Sequence, residues 1–281
     1  MAIGDSTRVN TNIAAFNALS ALKNINRNLE KSQLKLATGL RINEVSDDPA
    51  GFVLSRRLIA RSKGLSVALD NVGTAKNVLS IAEGGLLSTS NILLRMKELV
   101  TQAASDTLGS AERAAITSEL TELTSEVDDI VSETEFNSVA LINGTYTGKS
   151  FQTGEGTANT LTFSITQNHS AASLIIAVTD VANVVTNAAG ATGALIKINT
   201  AIDTLNNSLQ TIGATISRLS VKENTLSIAI TNTEATKSRI LDVDIAREQL
   251  ESTRFQILQQ TATAQLAQAN IIPQNVLALF T

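Results

Sequence analysis

Cysteine is absent from the 281 residues. That excludes disulfides, thiolate metal sites and a cysteine nucleophile. Histidine occurs once, at His169. One histidine cannot build a histidine-based metal site, and any histidine-dependent triad would need this residue. It lies in TQNHSAAS, a loop-like run, and reads as a solvated loop histidine. Tryptophan is absent and aromatics are 3% of the chain. The only prolines are Pro49 and Pro273, so long stretches hold no helix breaker. No uncharged run of about 18 apolar residues occurs, so no membrane insertion is expected. MAIGDSTRVNTNIAAF has neither the basic nor the apolar region of a cleavable signal peptide. A net charge of −4 argues against nucleic-acid binding. Charge is also missing from the last stretch: no Asp, Glu, Lys or Arg follows Arg254. Such a stretch is unlike a solvated, frayed terminus.

What is present is mostly Leu, Ile, Val and Ala, with hydrophobic residues at 43%. This is the mix of helix-on-helix seams. Ala68, Val72, Ala75, Leu79, Ala82, Leu86, Thr89, Leu93, Met96, Val100 and Ala103 alternate steps of four and three. They predict one long helix, weakened in the middle by Gly84 and Gly85. Ile116, Leu120, Leu123, Val127 and Ile130 predict a second helix, antiparallel to the first across the turn SDTLGSAER. A third seam runs from Leu195 through Ile198, Ile202, Leu205, Leu209, Ile212, Ile216 and Leu219 to Leu226 and Ile230, and Glu223 interrupts it. A weaker one near the N-terminus joins Ala15, Ala18, Leu22, Ile25, Leu29, Ser32 and Leu36. The final segment offers Val243, Ala246, Leu250, Thr253, Ile257, Gln260, Ala264, Ala267 and Ile271. The phase shifts between Ile230 and Val243, so a bend or a change of partner is expected there. Pro273 predicts that the regular helix ends or bends near Ile272. Gly39 suits a helix C′ position, and Asp48-Pro49 suits an N-cap followed by N1. The fold class is therefore mainly α, a long antiparallel helical rod with a small β insertion.

That insertion spans about residues 143–193, rich in Gly, Thr, Ser and Asn. TLTFSIT alternates Leu161, Phe163 and Ile165 with hydroxyl residues, a half-buried strand. SLIIAV is a candidate second strand. Charge is uneven along the chain. Met1–Glu44 carries six basic and three acidic residues, and Val45–Phe136 eight and fourteen. Opposed faces that meet in an assembly would show this split, as would ordinary surface variation.

VNTNIAAFNALSALKNINRNLEKSQLKLATGLRINEVSDDPAGFVLS resembles the opening segment of bacterial flagellin. SIAEGGLLSTSNILLRMKELVTQAAS and SEVDDIVSETEFNSVALINGTYTG resemble its central helices, and FQTGEGTANTLTF its first hairpin. ATKSRILDVDIAREQ and AQLAQANIIPQNVLAL are similar to its closing helix. The resemblance implies an inner domain D0 from both chain ends and a helical domain D1. Residues 1–44 would form the N-terminal D0 helix and joint, 45–230 D1, and 231–281 the helix that completes D0. It implies a structural subunit of the extracellular flagellar filament, serving motility. The subunit would be exported unfolded by the flagellar type III apparatus with an export chaperone, and would meet hook-associated and cap proteins. No cofactor is implied.

A helix with apolar residues on more than one face must be buried on more than one side. Neighbouring copies would cover the rest, and open helical polymers come from such heterologous contacts. The polymerisation residues expected on this basis are Ala15, Leu22, Ile25, Leu29, Leu36, Leu250, Ile257, Leu258, Leu266, Ile271, Leu277 and Leu279. The resemblance also implies candidate contacts with the innate immune receptor TLR5 at Arg95, Leu99 and Glu119, although Leu94 stands where the family usually has Gln. The alternative is a hook-associated junction protein. VSDDP also resembles that family's joint, but AQANIIPQNVLALF favours flagellin. An enzyme is not expected. Asp47-Asp48 and Asp128-Asp129 are the only acidic pairs, without a histidine, phosphate loop or metal-spaced partner nearby.

Overall fold

The computed structural model describes residues 11–182 and 187–278. Their elements are α1 (Ile13–Thr38), α2 (Pro49–Ala103), α3 (Ser110–Glu133), β1 (Glu135–Phe136), β2 (Val139–Ala140), β3 (Lys149–Gln152), β4 (Thr160–Phe163), α4 (Val178–Ala182), α5 (Ala188–Leu241) and α6 (Ile245–Ala278). The chain divides into two units, Met1–Ala60 with Asn232–Thr281, and Arg61–Thr231. Helices α2 and α5 contribute residues to both.

In the unit Arg61–Thr231, all eleven positions of the Ala68–Ala103 seam are no more than 1% exposed. The one polar member, Thr89, donates its hydroxyl to Gly85 O at 3.0 Å, so burial leaves no orphan. Gly85 does not break the helix. The side chain of Thr134 occupies the space a Cβ at Gly85 would need, so the glycine admits the exit of α3. Along α5, buried Ile198, Leu205, Ile212, Leu219 and Leu226 alternate with half-buried Leu195, Ile202, Leu209 and Ile216. The interruption at Glu223 is a cross-helix ion pair, to Lys76 Nζ at 2.7 Å.

The turn between α2 and α3 is built around Arg113. This side chain is buried. Its guanidinium donates to Ala103 O at 2.6 Å, Ser105 O at 2.8 Å and Leu108 O at 3.4 Å. The last carbonyls of a helix lack intrahelical donors, and here the next helix supplies one to Ala103, the final residue of α2.

Two antiparallel hairpins follow. β1 pairs with β2 across Asn137 and Ser138, both at positive φ, as a tight two-residue turn requires. β3 pairs with β4, from Lys149↔Phe163 to Gln152↔Thr160. SLIIAV is not a strand. Leu174 N–H donates to Ser170 O and Ile176 N–H to Ala171 O, so local turns satisfy its backbone. Buried Leu174 and Ile176 flank exposed Ile175, which imitates strand alternation.

His169 corrects the expectation of a solvated loop residue: it is fully buried. Nδ1 lies 3.1 Å from Ile142 O and Nε2 2.9 Å from Ser208 Oγ. A carbonyl only accepts, so Nδ1 carries the proton and the serine hydroxyl serves Nε2. Burial pushes the His169 pKa below the ordinary 6.5, against the raising effect of the Ile142 and Gln167 carbonyls. The unfolded chain then takes up this proton first. The contribution of neutral His169 is complete above about pH 6.5 and is lost as pH falls toward the depressed value. Thermal melts should be flat in this respect from pH 8 to 6.5 and fall below it. His169→Gln should flatten that fall, and identical pH profiles for the two proteins would refute the assignment.

In the other unit, α1 ends at Gly39, left-handed at φ 70°, with its N–H on Lys35 O. The joint then pairs with the α5–α6 corner. Arg41 N–H donates to Leu241 O at 2.5 Å, Val243 N–H to Gly39 O at 3.0 Å, and Arg41 Nη2 to Ile240 O at 2.8 Å. The expected phase shift is a helix break: α5 stops at Leu241 and α6 restarts with Asp244 Oδ1 accepting from Arg247 N–H at 3.1 Å. Asp48 Oδ1 accepts from Gly51 N–H at 2.9 Å, capping α2 one residue before Pro49.

The regular helix does not end near Ile272: α6 continues through Pro273 to Ala278. A proline removes one N–H and thus one hydrogen bond. The side chain of Asn12 supplies a substitute donor to Ala269 O at 2.7 Å.

Candidate assembly surface

Helices α1 and α6 pack along each other. On α1 the packed side is the weak seam read from the sequence. Leu29 and Ser32 are buried, and Ala15, Ala18, Leu22, Ile25 and Leu36 are half-buried. On α6 the packed side is Glu248, Ser252, Phe255, Gln259, Ala262, Leu266 and Ala269, again at steps of four and three. Ser252 and Ala269 are its buried members. Among the described residues, three polar links tie the pair: Asn12 to Ala269 O, Gln259 Nε2 to Asn26 Oδ1 at 2.9 Å, and Ser32 Oγ to Glu248 O at 3.4 Å.

The stripe predicted as the α6 seam is a different one, and it faces outward. Ala246, Leu250, Thr253, Ile257, Gln260, Ala264, Ala267 and Ile271 are all exposed. Leu250 is 73% and Ile257 58% exposed, and Leu258 is also exposed. The sequence pattern found a genuine apolar stripe but not the one that meets α1. A two-helix pair buries one side of each helix, and α6 is apolar on at least two. Leu277 lies within the described backbone of α6, and Leu279 lies outside the described residues.

Helix α1 adds outward apolar residues that sequence reasoning passed over: Ile13, Phe16 (66% exposed), Leu19 and Leu34. Their signal was legible as large apolar residues lying off the Ala15–Leu36 seam. An exposed side chain of this size gains about 1.5–3 kcal/mol if fully covered.

The expected receptor contacts are in the other unit. Arg95 reaches Glu119 Oε1 through Nη2 at 2.8 Å and Nε at 3.2 Å, and Glu98 Oε2 through Nη1 at 3.2 Å. Hydrogen bonding to Glu119, then Glu98, raises the guanidinium pKa further. Leu99 is buried in the core rather than displayed, and Leu94 is the exposed apolar neighbour.

The acidic pairs have structural work. Asp47 Oδ2 accepts from the N–H groups of Asn43 at 3.1 Å and Glu44 at 3.2 Å, and Lys31 lies 3.5 Å away. Burial opposes ionisation of Asp47, but these partners outweigh it and hold its carboxyl below the usual range. Asp128 Oδ1 accepts from Ala171 N–H at 2.8 Å. Among the described residues no group of three His, Asp or Glu side chains is placed to hold a metal. Among them also, no helix is long and apolar enough to cross a membrane.

Seam-packed helices, a minor β region and polar side chains spent on caps and joints define a mainly α protein built on helix-on-helix seams. Residues 9–147 match the bacterial flagellin N-terminal helical region, and residues 195–280 match the bacterial flagellin C-terminal helical region. The chain belongs to the bacterial flagellin family and is a structural subunit of the flagellar filament. It is 35% identical to a flagellin of Bacillus subtilis over 97% of this chain and 99% of that one. It is 31% identical to a flagellar filament 33 kDa core protein of Treponema phagedenis, over 96% and 99% of the two chains. A solved structure of a putative flagellar hook-associated protein from Vibrio parahaemolyticus shares the fold at TM-score 0.59 and 14% identity, over 70% of this chain and all of that one. That likeness is one of fold alone, whereas the full-length sequence relatives are flagellins.

Proposed function

We propose that this subunit polymerises through the α1–α6 pair. The pair is the inner domain D0 and the unit Arg61–Thr231 is the body of D1, with residues 1–44 and 231–281 supplying the D0 segments and 45–230 D1. The observation that carries this is the outward stripe of α6, uncharged beyond Arg254 and apolar opposite its α1 contact. Copies of the same chain cover it, because heterologous contacts of one surface on another propagate without closing. Ala15, Leu22, Ile25, Leu29, Leu36 and Leu266 hold the pair together, and Leu250, Ile257, Leu258 and Ile271 meet neighbours. The filament is extracellular and serves motility. Its subunits pass unfolded through the flagellar type III apparatus with an export chaperone, and meet hook-associated and cap proteins at the filament ends.

Seeding concentrated protein with short filament fragments tests the reading. The whole chain should extend the seeds into long filaments in negative-stain electron microscopy. A chain lacking Phe255–Thr281 should not, while its Arg61–Thr231 unit keeps its melting transition. Normal filaments from the shortened chain would sink the proposal. Receptor recognition is the second reading. Arg95 and Glu119 form an exposed, charge-paired patch with Leu99 packed beneath it, and TLR5 would contact the patch. A TLR5 signalling assay on monomeric Arg95→Ala decides the point, and unchanged signalling would remove Arg95 from it.

A further inference from the structure

Helix α6 contains a gap made by its own sequence. In an α-helix the N–H of each residue donates to the carbonyl four residues earlier. Proline has no N–H, so Pro273 leaves the carbonyl of Ala269 without its helical donor. Ala269 is among the buried residues of the α1–α6 contact, where an unpaired carbonyl is costly. The donor that reaches it comes from the far end of the chain, 257 residues away in sequence. Asn12 Nδ2 donates to Ala269 O at 2.7 Å. The other end of the same amide also works, since Asn12 Oδ1 accepts from Ala15 N–H at 3.0 Å and caps α1.

The two bonds make Asn12 specific. Aspartate and serine cap helices as well as asparagine does, but a carboxylate has no donor and a serine side chain is one bond shorter. The bonds of Gly39 and Arg41 to the α5–α6 corner tie the far end of the pair. Near Asn12 the contact is lined by small residues at Ala15, Ala18, Ala262 and Ala269 with Leu266 among them, and the Gln259–Asn26 and Ser32–Glu248 bonds lie further along it. In such seams a single polar pair sets register. Register has a consequence here, because Ile13 and Phe16 on α1 and Ala267 and Ile271 on α6 face outward near this end. A slip of one helix along the other would dismantle the combined surface they present.

We infer that Asn12 is a positioning residue for assembly: it answers the carbonyl that Pro273 frees and so sets the register of α1 against α6. This rests on the reading that the α1–α6 pair is the polymerising domain. The test is a double-mutant cycle read as critical concentration for seeded growth. Asn12→Ser keeps a cap and loses the reach. It should raise the critical concentration about tenfold, the size of one lost buried hydrogen bond. Pro273→Ala restores the N–H within α6, so in that background Asn12→Ser should cost less than about threefold. An equal penalty in both backgrounds would mean that Asn12 is only a cap, and no penalty in either would remove it from assembly.

A second readout serves if Pro273→Ala fails to polymerise. Cysteines at Asn26→Cys and Gln259→Cys, in a chain that has none of its own, report register by disulfide yield in filaments. Yield should fall several-fold when Asn12→Ser is added, and an unchanged yield overturns the inference. Ile257→Asp distinguishes the polymerising surface from the register role of Asn12. If it assembles normally, the polymerisation reading fails. If it is blocked while Asn12→Ser is silent, only the register role fails.

Discussion

Ile257→Asp is expected to raise the critical concentration for polymerisation by about a thousandfold and to leave the melting of the Arg61–Thr231 unit unchanged. The separation follows from where Ile257 sits. It is more than half exposed and lies on the side of α6 away from α1. In the single chain an aspartate there remains solvated. In the filament it would enter an apolar seam, where an unpaired carboxylate costs several kcal/mol. About 4 kcal/mol corresponds to a factor of about a thousand in an association constant. Relief by a neighbouring cation is limited. No Lys or Arg follows Arg254, and Arg254 is itself within 3.4 Å of Glu251. Ile257→Leu should assemble nearly as the parent does. Sedimentation after seeding is the measurement, and growth of Ile257→Asp at the parental concentration would remove the outward stripe from the interface.

Arg113→Ala is expected to lower the melting temperature of the Arg61–Thr231 unit by about 6–12 °C. Three carbonyls, of Ala103, Ser105 and Leu108, accept from this one guanidinium, and of these Ser105 O also takes the Leu108 N–H at 3.4 Å. Hydrogen bonds to charged donors contribute about 1.5–3 kcal/mol each where buried, but the exposed part of the turn can recruit water. A net loss of about 3 kcal/mol is therefore the expectation. For a unit of this size each kcal/mol moves the midpoint by about 2–4 °C. Arg113→Lys should fall between, because an ammonium cannot span the fork of acceptors that a guanidinium does. Asp106, 4.0 Å away and largely exposed, contributes little. Calorimetry of the whole protein reads the result, and a drop below about 2 °C would mean that water replaces the side chain without penalty.

Arg113 also shows where reading along the chain stopped. SDTLGSAER announced a turn by its composition, but nothing in the nine letters says which side chain closes it. That depends on three carbonyls converging, and convergence is a property of the folded turn. His169 failed for the same reason. Its neighbours Gln, Asn and Ser look like loop and are loop. The loop nevertheless passes beneath Ser208 of α5 and against the carbonyl of Ile142. The α2 seam succeeded because eleven positions at one period carry redundant information and a single error cannot shift the phase. The α6 stripe left its partner open, because a helix apolar on two sides fits two phases equally well.

The sequence by itself determined that this is a mainly helical chain, jointed near Gly39 and Pro49, with a small β region and a last helix uncharged beyond Arg254. Those features follow from periodicity, capping residues and composition, which act locally. It also determined the family, through long segments that stand in order along nearly the whole chain. Only the tertiary structure decided which stripe of α6 meets α1 and which is left outward, because that choice depends on the partner's shape rather than on α6. Only the tertiary structure joined Asn12 to the carbonyl beneath Pro273. The two lie near opposite ends of the chain, and one hydrogen bond between them exists only after both helices have been brought side by side.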